Sequence, residues 1–336
     1  MNLKKIVCST VAATMIFSVP FAADAAADSA NERLAQIEID TYGGEQSGAI
    51  LDRLNRLEDA FSGNNMRGNM NARIEAIYDI IYDNGAEPGI LAKINALEWN
   101  VNHEVSSDGI DKRLTNLENS IFGATYEENN FSDRIRALSK ESFGTEDLPM
   151  IQIQLPANTF IKVALTEEVG TRTLQVGDTI SVKVTEDVVV GGDLVFAKGL
   201  QGEGIVTEVR RGKNIGRNGK IVIDVQSVRG IDGQSVATFT GDEAKEEMKK
   251  ESMSAGLSLV GGNPPPSKSG SFGEITNALS RGKNFDIPAG TVFIVQTKDT
   301  ANVYAVQGGS NILEIVPNEE VETEDYPENE EELGNV

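Results

Sequence analysis

The sequence predicts an α + β protein whose two kinds of structure form separate domains: an N-terminal α-helical repeat with a 20-residue period, and a C-terminal all-β, barrel-like domain with a helical insertion. Three observations predict it. A basic residue followed by an apolar one recurs at Arg33-Leu34, Arg53-Leu54, Arg73-Ile74, Lys93-Ile94, Arg113-Leu114 and Arg134-Ile135, spaced by 20 residues four times and then by 21. Near Pro149 the apolar pattern switches to alternation, as in Ile151, Ile153, Leu155 and Ile180, Val182, Val184. Turn signals such as Gly191-Gly192, Gly230 and Asp232-Gly233 then punctuate short strands at close intervals.

Residues 1–27 read as a secretory signal peptide: Lys4 and Lys5, an apolar run from Ile6 to Phe21, then small residues at Ala23-Asp24-Ala25 and Ala25-Ala26-Ala27. The run is short for a membrane anchor and is broken by Ser18 and Pro20. Cys8 opens that run rather than closing it, which disfavours lipidation. The mature chain, starting at Ala26 or Asp28, would hold no cysteine, as suits an oxidising compartment, and no later stretch is apolar enough to span a membrane. The expected address is the periplasm or cell envelope.

Residues 28–147 form six units. Around each basic residue, apolar side chains fall at offsets of 0, 4, 7 and often 11, as in Ile50, Leu54, Leu57 and Phe61, which is one narrow helix face. Gly43, Gly63, Gly123 and Gly144 stand where helices would end, and Asn, Asp and Ser follow as turn and capping residues. One such helix buries too little to offset its ordering entropy, so each unit must stack on a neighbour or on another chain. The narrow stripe predicts a coiled-coil-like oligomerisation seam of Leu54, Leu57, Ile74, Ile77, Ile94, Leu97, Leu114 and Leu117. Trp99, beside the stripe, reads as a packing residue at a unit junction, and the single His103 has no catalytic context.

Arg113-Leu114-Thr115-Asn116-Leu117-Glu118-Asn119-Ser120-Ile121-Phe122-Gly123 resembles the short R-L-x-x-L-E-x-x-x-F-G repeats of exported envelope proteins of diderm bacteria. Tyr78 in place of Glu, and Asp83 and His103 in place of Gly, depart from it. The resemblance implies an envelope interaction module and supplies no catalytic residue.

Residues 148–316 hold the β domain. Besides the alternating runs, strands are expected at Leu194–Ala197, Gly204–Val209, Lys220–Val228, Ser235–Thr240, Thr291–Gln296 and Ile312–Val316, an arrangement that argues a closed barrel or sandwich. Leu155-Pro156-Ala157-Asn158-Thr159-Phe160-Ile161 and Ile287-Pro288-Ala289-Gly290-Thr291-Val292-Phe293 echo each other as turn-plus-strand starts, with a looser echo at Leu194-Val195-Phe196-Ala197-Lys198-Gly199. With Val176-Gly177-Asp178 and a Gly-rich basic hairpin, this block is distantly similar to the barrel domain of conjugation and type IV secretion subunits. The insertion, 242–284, reads as a charged helix at Asp242–Ser254, a Gly/Pro-rich stretch and a second short helix near Phe272–Ser280. Its apolar part, Ala255–Val260, is too short to cross a bilayer.

The net charge is −22, from 52 acids and 30 bases, which disfavours a nucleic-acid partner. Residues 28–147 carry 23 acids and 11 bases, 148–316 carry 19 and 17, and the tail 317–336 carries nine acids and no base, as expected for a disordered segment. The cations of the β domain concentrate at Arg210, Arg211, Lys213, Arg217 and Lys220, a candidate contact for an anionic envelope polymer or for the acidic tail. One His and one Cys exclude His-cluster and zinc-ribbon sites, no metal or cofactor is expected, and no nucleophile-elbow, P-loop or zinc-protease motif occurs. An acid pair such as Glu167-Glu168 is too common among 52 acids to signal a glycosidase. The expected function is that of a non-enzymatic envelope structural or adaptor protein acting through self-association and contacts with other envelope proteins. The alternatives are an accessory component of a secretion or transport assembly and a cell-wall polymer-binding module.

Overall fold

The computed structural model describes residues 30–64, 66–212, 219–254, 274–276, 284 and 286–309. The leader, Lys213, Arg217, Ile312–Val316 and the acidic tail lie outside them. Each unit of the repeat is one 13-residue helix that starts on the first residue of its apolar stripe: α1 (Ala30–Tyr42), α2 (Ile50–Ser62), α3 (Met70–Tyr82), α4 (Ile90–Asn102), α5 (Ile110–Phe122) and α6 (Phe131–Phe143). Asn69 and Asn130 cap α3 and α6 by accepting from the N–H groups of Ala72 and Asp133. Gly63, Gly123 and Gly144 end α2, α5 and α6 in the left-handed conformation, at φ 68°, 69° and 76°. His103 takes the same conformation at the end of α4, with φ 54°, whereas Asp83 after α3 stays extended at φ −74°.

The stripes meet within the chain. α1 packs on α3 and α5, α2 on α3 and α6, and α4 on α5 and α6, so the last units return to the first ones. Phe61 of α2 meets Phe131 of α6 edge to face at 5.0 Å. The seam expected for oligomerisation is spent on this closure: Leu54, Leu57, Ile74, Ile77, Ile94, Leu97, Leu114 and Leu117 all lie in one core, none more than 1% exposed. A stripe this narrow satisfies a partner helix wherever it comes from, and here all the partners are supplied in cis.

A second, polar pattern joins consecutive units. The Glu that follows the stripe's central Leu or Ile is buried, and the Arg fifteen or sixteen residues later grips it. Arg53 holds Glu38 through Nε at 2.8 Å and a terminal nitrogen at 2.5 Å. Arg73 holds Glu58 twice at 2.6 Å. Arg113 holds Glu98 at 2.8 Å, and Arg134 holds Glu118 at 2.8 and 2.9 Å. Glu38, Glu98 and Glu118 also accept the backbone N–H of Gln46, Ser106 and Tyr126, so one carboxylate fixes both the next helix and the loop leading to it. Two units lack the Glu. Tyr78 stands there in the third, and the next unit accordingly has Lys93 in place of Arg, paired with exposed Glu87 at 3.8 Å. Ser139 stands there in the last, buried, its hydroxyl donating to the Thr145 carbonyl at 3.0 Å.

The β domain comprises β1 (Met150–Leu155), β2 (Phe160–Leu165), β3 (Val169–Gly170), β4 (Thr179–Val184), β5 (Val188–Val190), β6 (Asp193–Phe196), β7 (Gln201–Arg210), β8 (Lys220–Arg229), β9 (Ser235–Phe239), β10 (Glu274–Thr276), β11 (Asp286–Ile287), β12 (Val292–Thr297) and β13 (Ala301–Val306). The order β8-β7-β4-β2-β12-β9 returns to β8 through the β8–β9 pair, so six strands close a barrel. A second sheet, β1-β13-β6-β5, lies beside it. The echoed turn-plus-strand loops share two features: Asn158 and Gly290 are left-handed (φ 64° and 81°), and the Thr159 and Thr291 hydroxyls donate to the Pro156 and Pro288 carbonyls respectively, both at 2.8 Å.

Two expectations change. Glu274–Thr276, expected in a helix, is a strand that extends the β8 edge opposite Lys220–Val222. β13, absent from the expected strands, pairs along the whole of β1. The helix expected at Asp242–Ser254 is present as α7, and Ala244 and Met248 cover Ile294, whose N–H donates to the Met248 sulfur at 3.1 Å. It shields the part of β12 that lies beyond the two-residue pairing with β9.

Candidate functional site

Two places concentrate polar chemistry: the junction of bundle and barrel, and the basic end of the barrel. The junction is built on α4, whose side chains are buried on nearly every face, Ile90 to Trp99 with only Lys93 half-exposed. One face belongs to the helical core, while Ala96, Trp99 and, after the helix, Val105 belong to the barrel core. The Trp99 indole N–H donates to Asp187 at 2.7 Å, so this residue packs at the junction between domains rather than between repeat units. Val105 N–H donates to the Lys198 carbonyl at 2.8 Å, and Gly199 (φ 93°) lies so close to the Val105 carbonyl that a Cβ there would collide with it. The looser echo Ala197-Lys198-Gly199 is therefore a seat for the bundle.

One turn before Trp99 along α4, the Asn95 amide donates to the Ile231 carbonyl at 2.9 Å and its oxygen accepts from Arg113 at 2.6 Å, tying a Glu–Arg clasp to the barrel. Asn84, in the loop after α3, donates to the Asp232 carbonyl at 2.9 Å. The Asp232 carboxylate is buried and accepts the N–H groups of Gln234 and Tyr304, each at 3.0 Å. Burial outweighs those two hydrogen bonds and pushes its pKa up to about 6. The hydroxyl of Tyr304 reaches back to the Gly85 carbonyl at 3.3 Å.

At the opposite end of β7 and β8, Arg210 and Lys220 are directly paired across the strands. Glu208 relieves this like-charge neighbour pair, accepting from the Lys220 ammonium at 2.7 Å. The Arg211 guanidinium donates to the Arg172 carbonyl at 3.3 Å, and Gly212 N–H to the Asn284 side chain at 3.0 Å. The structure thus brings together three of the five predicted cations, Arg210, Arg211 and Lys220, and adds Arg172, which no sequence pattern singles out. Arg172, Arg210 and Arg211 are exposed. Lys213 and Arg217 lie outside the described residues. Among the described residues no three His, Cys, Asp or Glu side chains form a metal-binding group, and no helix is long and apolar enough to cross a membrane.

No family model and no curated protein sequence matches the chain. Among solved structures it is distantly similar to ComB10 of the Com type IV secretion system of Helicobacter pylori, with 12% identity over 44% of this chain and 88% of that one, at a TM-score of 0.24. Likeness at that level assigns neither a fold family nor an activity.

Proposed function

We propose that this chain is a non-enzymatic structural or adaptor protein of the cell envelope, and that it works as one stiff body presenting a helical bundle and a barrel in fixed relation. The observation that carries the reading is α4. A helix shared by two cores, hydrogen-bonded to the barrel through Asn95 and Trp99 and gripped in the bundle through Glu98, holds the two domains in one orientation. Domains joined only by linkers move relative to one another by default, and adaptors that set spacing gain from suppressing that motion. The leader-like first 27 residues and the envelope-type repeats support the address. With the stripe used up inside the chain, contacts with other envelope proteins fall to outer surfaces such as exposed Leu51 on α2 and Val176 in the loop before β4.

The test is cross-linking in intact cells with a photoreactive residue at Leu51, Val176 or Arg172, followed by identification of the captured proteins. Envelope proteins captured from defined positions are the expected result. Capture of secretion-assembly subunits would favour the accessory role in such a machine, and capture of nothing from any of the three would sink the adaptor reading.

A further inference from the structure

The basic end of the barrel is exposed and lies in a chain that is otherwise strongly acidic. We propose that the chain's own acidic C-terminal segment, residues 317–336, docks on Arg172, Arg210 and Arg211 and occupies the surface an external polyanion would need. The inference goes beyond the adaptor reading and does not depend on it.

Charge complementarity selects the occupant. The segment has nine acids and no base, the bundle is acidic throughout (23 acids against 11 bases in 28–147), and the β domain is nearly balanced at 19 against 17. At physiological salt the Debye length is about 8 Å, so the segment responds to local clusters and not to the overall charge of the domain. The strands gather such a cluster at one place. The Arg211 guanidinium donates to the Arg172 backbone carbonyl, and Arg210 is the last residue of β7, so three exposed arginines from two separate segments meet at one end of the barrel. Arginine presents planar, forked donors that suit carboxylates.

Chain length permits it. The described chain ends at Gly309, which packs against Leu194 at the start of β6, with Gly308 N–H bound to Asp193 at 3.0 Å. Ile231 N–H bound to Val195 at 2.7 Å places that point at the β8–β9 turn, the end opposite the basic surface. Ten-residue strands at ~3.3 Å per residue separate the two ends by about 33 Å. From Gly309 to Glu319 the chain can span at most ~35 Å, and to Glu332 about 80 Å, so most of the acids come within reach. Tethering then gives the segment a local concentration on the order of millimolar, which an untethered competitor must exceed.

The experiment uses full-length protein in four forms: wild type, a form with the nine acids of 319–332 changed to Gln or Asn, R172Q/R210Q/R211Q, and the two sets of changes combined. The probes are a fluorescein-labelled synthetic peptide of residues 317–336 and heparin. The acid-neutralised form should bind both probes at least tenfold more tightly than wild type, and its binding should weaken at least tenfold between 0.1 and 0.5 M NaCl. Adding the triple Arg change to that form should abolish the gain. Equal binding by wild type and the neutralised form would show a surface open to external polyanions and overturn the proposal. So would peptide binding that survives the Arg changes. A thermal melt checks that the triple variant folds; if it does not, R172Q alone, whose side chain is exposed, should still weaken binding several-fold.

Discussion

The junction between the third and fourth helical units differs from the other four, and the difference separates two ways of holding a chain together. At the four regular junctions a buried carboxylate grips an arginine of the next helix, and in three of them also the loop between. At the irregular one both partners are gone, Tyr78 and Lys93 standing in their places. There the connecting loop forgoes the left-handed stop at Asp83 and turns its groups outward to the barrel, through Asn84 and Gly85. The regular junctions keep their internal grip, even at the α4–α5 loop, where Val105 also bonds to the barrel at Lys198. The irregular one gives up internal grip and gains an external contact. Departure from the repeat thus falls at one of the two loops that bond to the barrel, and only there is the clasp given up.

The largest effect expected from breaking this contrast is at Glu118. Both members of the Glu118–Arg134 pair are about 1% exposed, so Glu118→Ala leaves a buried guanidinium without its main partner and should cost about 3–5 kcal/mol in urea unfolding. Arg73, at 15% exposure, reaches water more readily, and Glu58→Ala should cost less. Equal losses would show that the clasps do not act through buried charge.

Next comes the seat of the bundle. Gly199→Ala combines a left-handed backbone with a collision at Val105 and should cost about 2–4 kcal/mol. Gly290→Ala, left-handed with nothing nearby, should cost only about 1 kcal/mol. The single tryptophan sits at the junction, so its fluorescence reports undocking directly. Its transition should precede loss of far-UV signal in Gly199→Ala and coincide with it in Gly290→Ala.

Asp232 sharpens the comparison through pH. Its pKa is raised in the folded protein, so the native state holds the proton more tightly than the unfolded chain does. This group's contribution to stability is therefore greatest below pH 4 and is lost as pH rises through about 6. On acidification from pH 7 to 4, wild type should gain stability relative to Asp232→Asn, by up to about 3 kcal/mol. A difference between the two proteins that stays constant over that range would show that Asp232 is ordinary. The smallest effect belongs to Arg33–Glu75, an exposed pair between α1 and α3, where Glu75→Gln should cost under about 1 kcal/mol.

The sequence displayed the helices because their stripes share one period, and all six begin on the residue where the stripe begins. It displayed the Glu column but not its partner, because the gripping Arg lies a full unit away and also serves to mark the next stripe. The paired replacement of the Glu by Tyr78 and of the Arg by Lys93 was the available signal. Whether a narrow stripe closes on its own chain or on another is set by the path of five loops, which composition does not report. β13 escaped notice because Val303-Tyr304-Ala305-Val306 is buried on both faces and so does not alternate. Arg172 escaped because three-dimensional proximity to Arg211, and nothing in its neighbours, makes it part of the basic surface.

Ser139 bears on how such an array is counted. Each clasp runs forward, from a carboxylate in one unit to a guanidinium in its successor, so the final unit has no successor to offer one. A glutamate at position 139 would be a charge sealed from water with no counter-ion, at a cost of several kcal/mol. A hydroxyl satisfied by the Thr145 carbonyl avoids this and closes the series. The array therefore carries its own terminator. Duplicating a unit in the middle is tolerable, because donor and acceptor arrive together, but extending it at the end requires rewriting the residue that says stop.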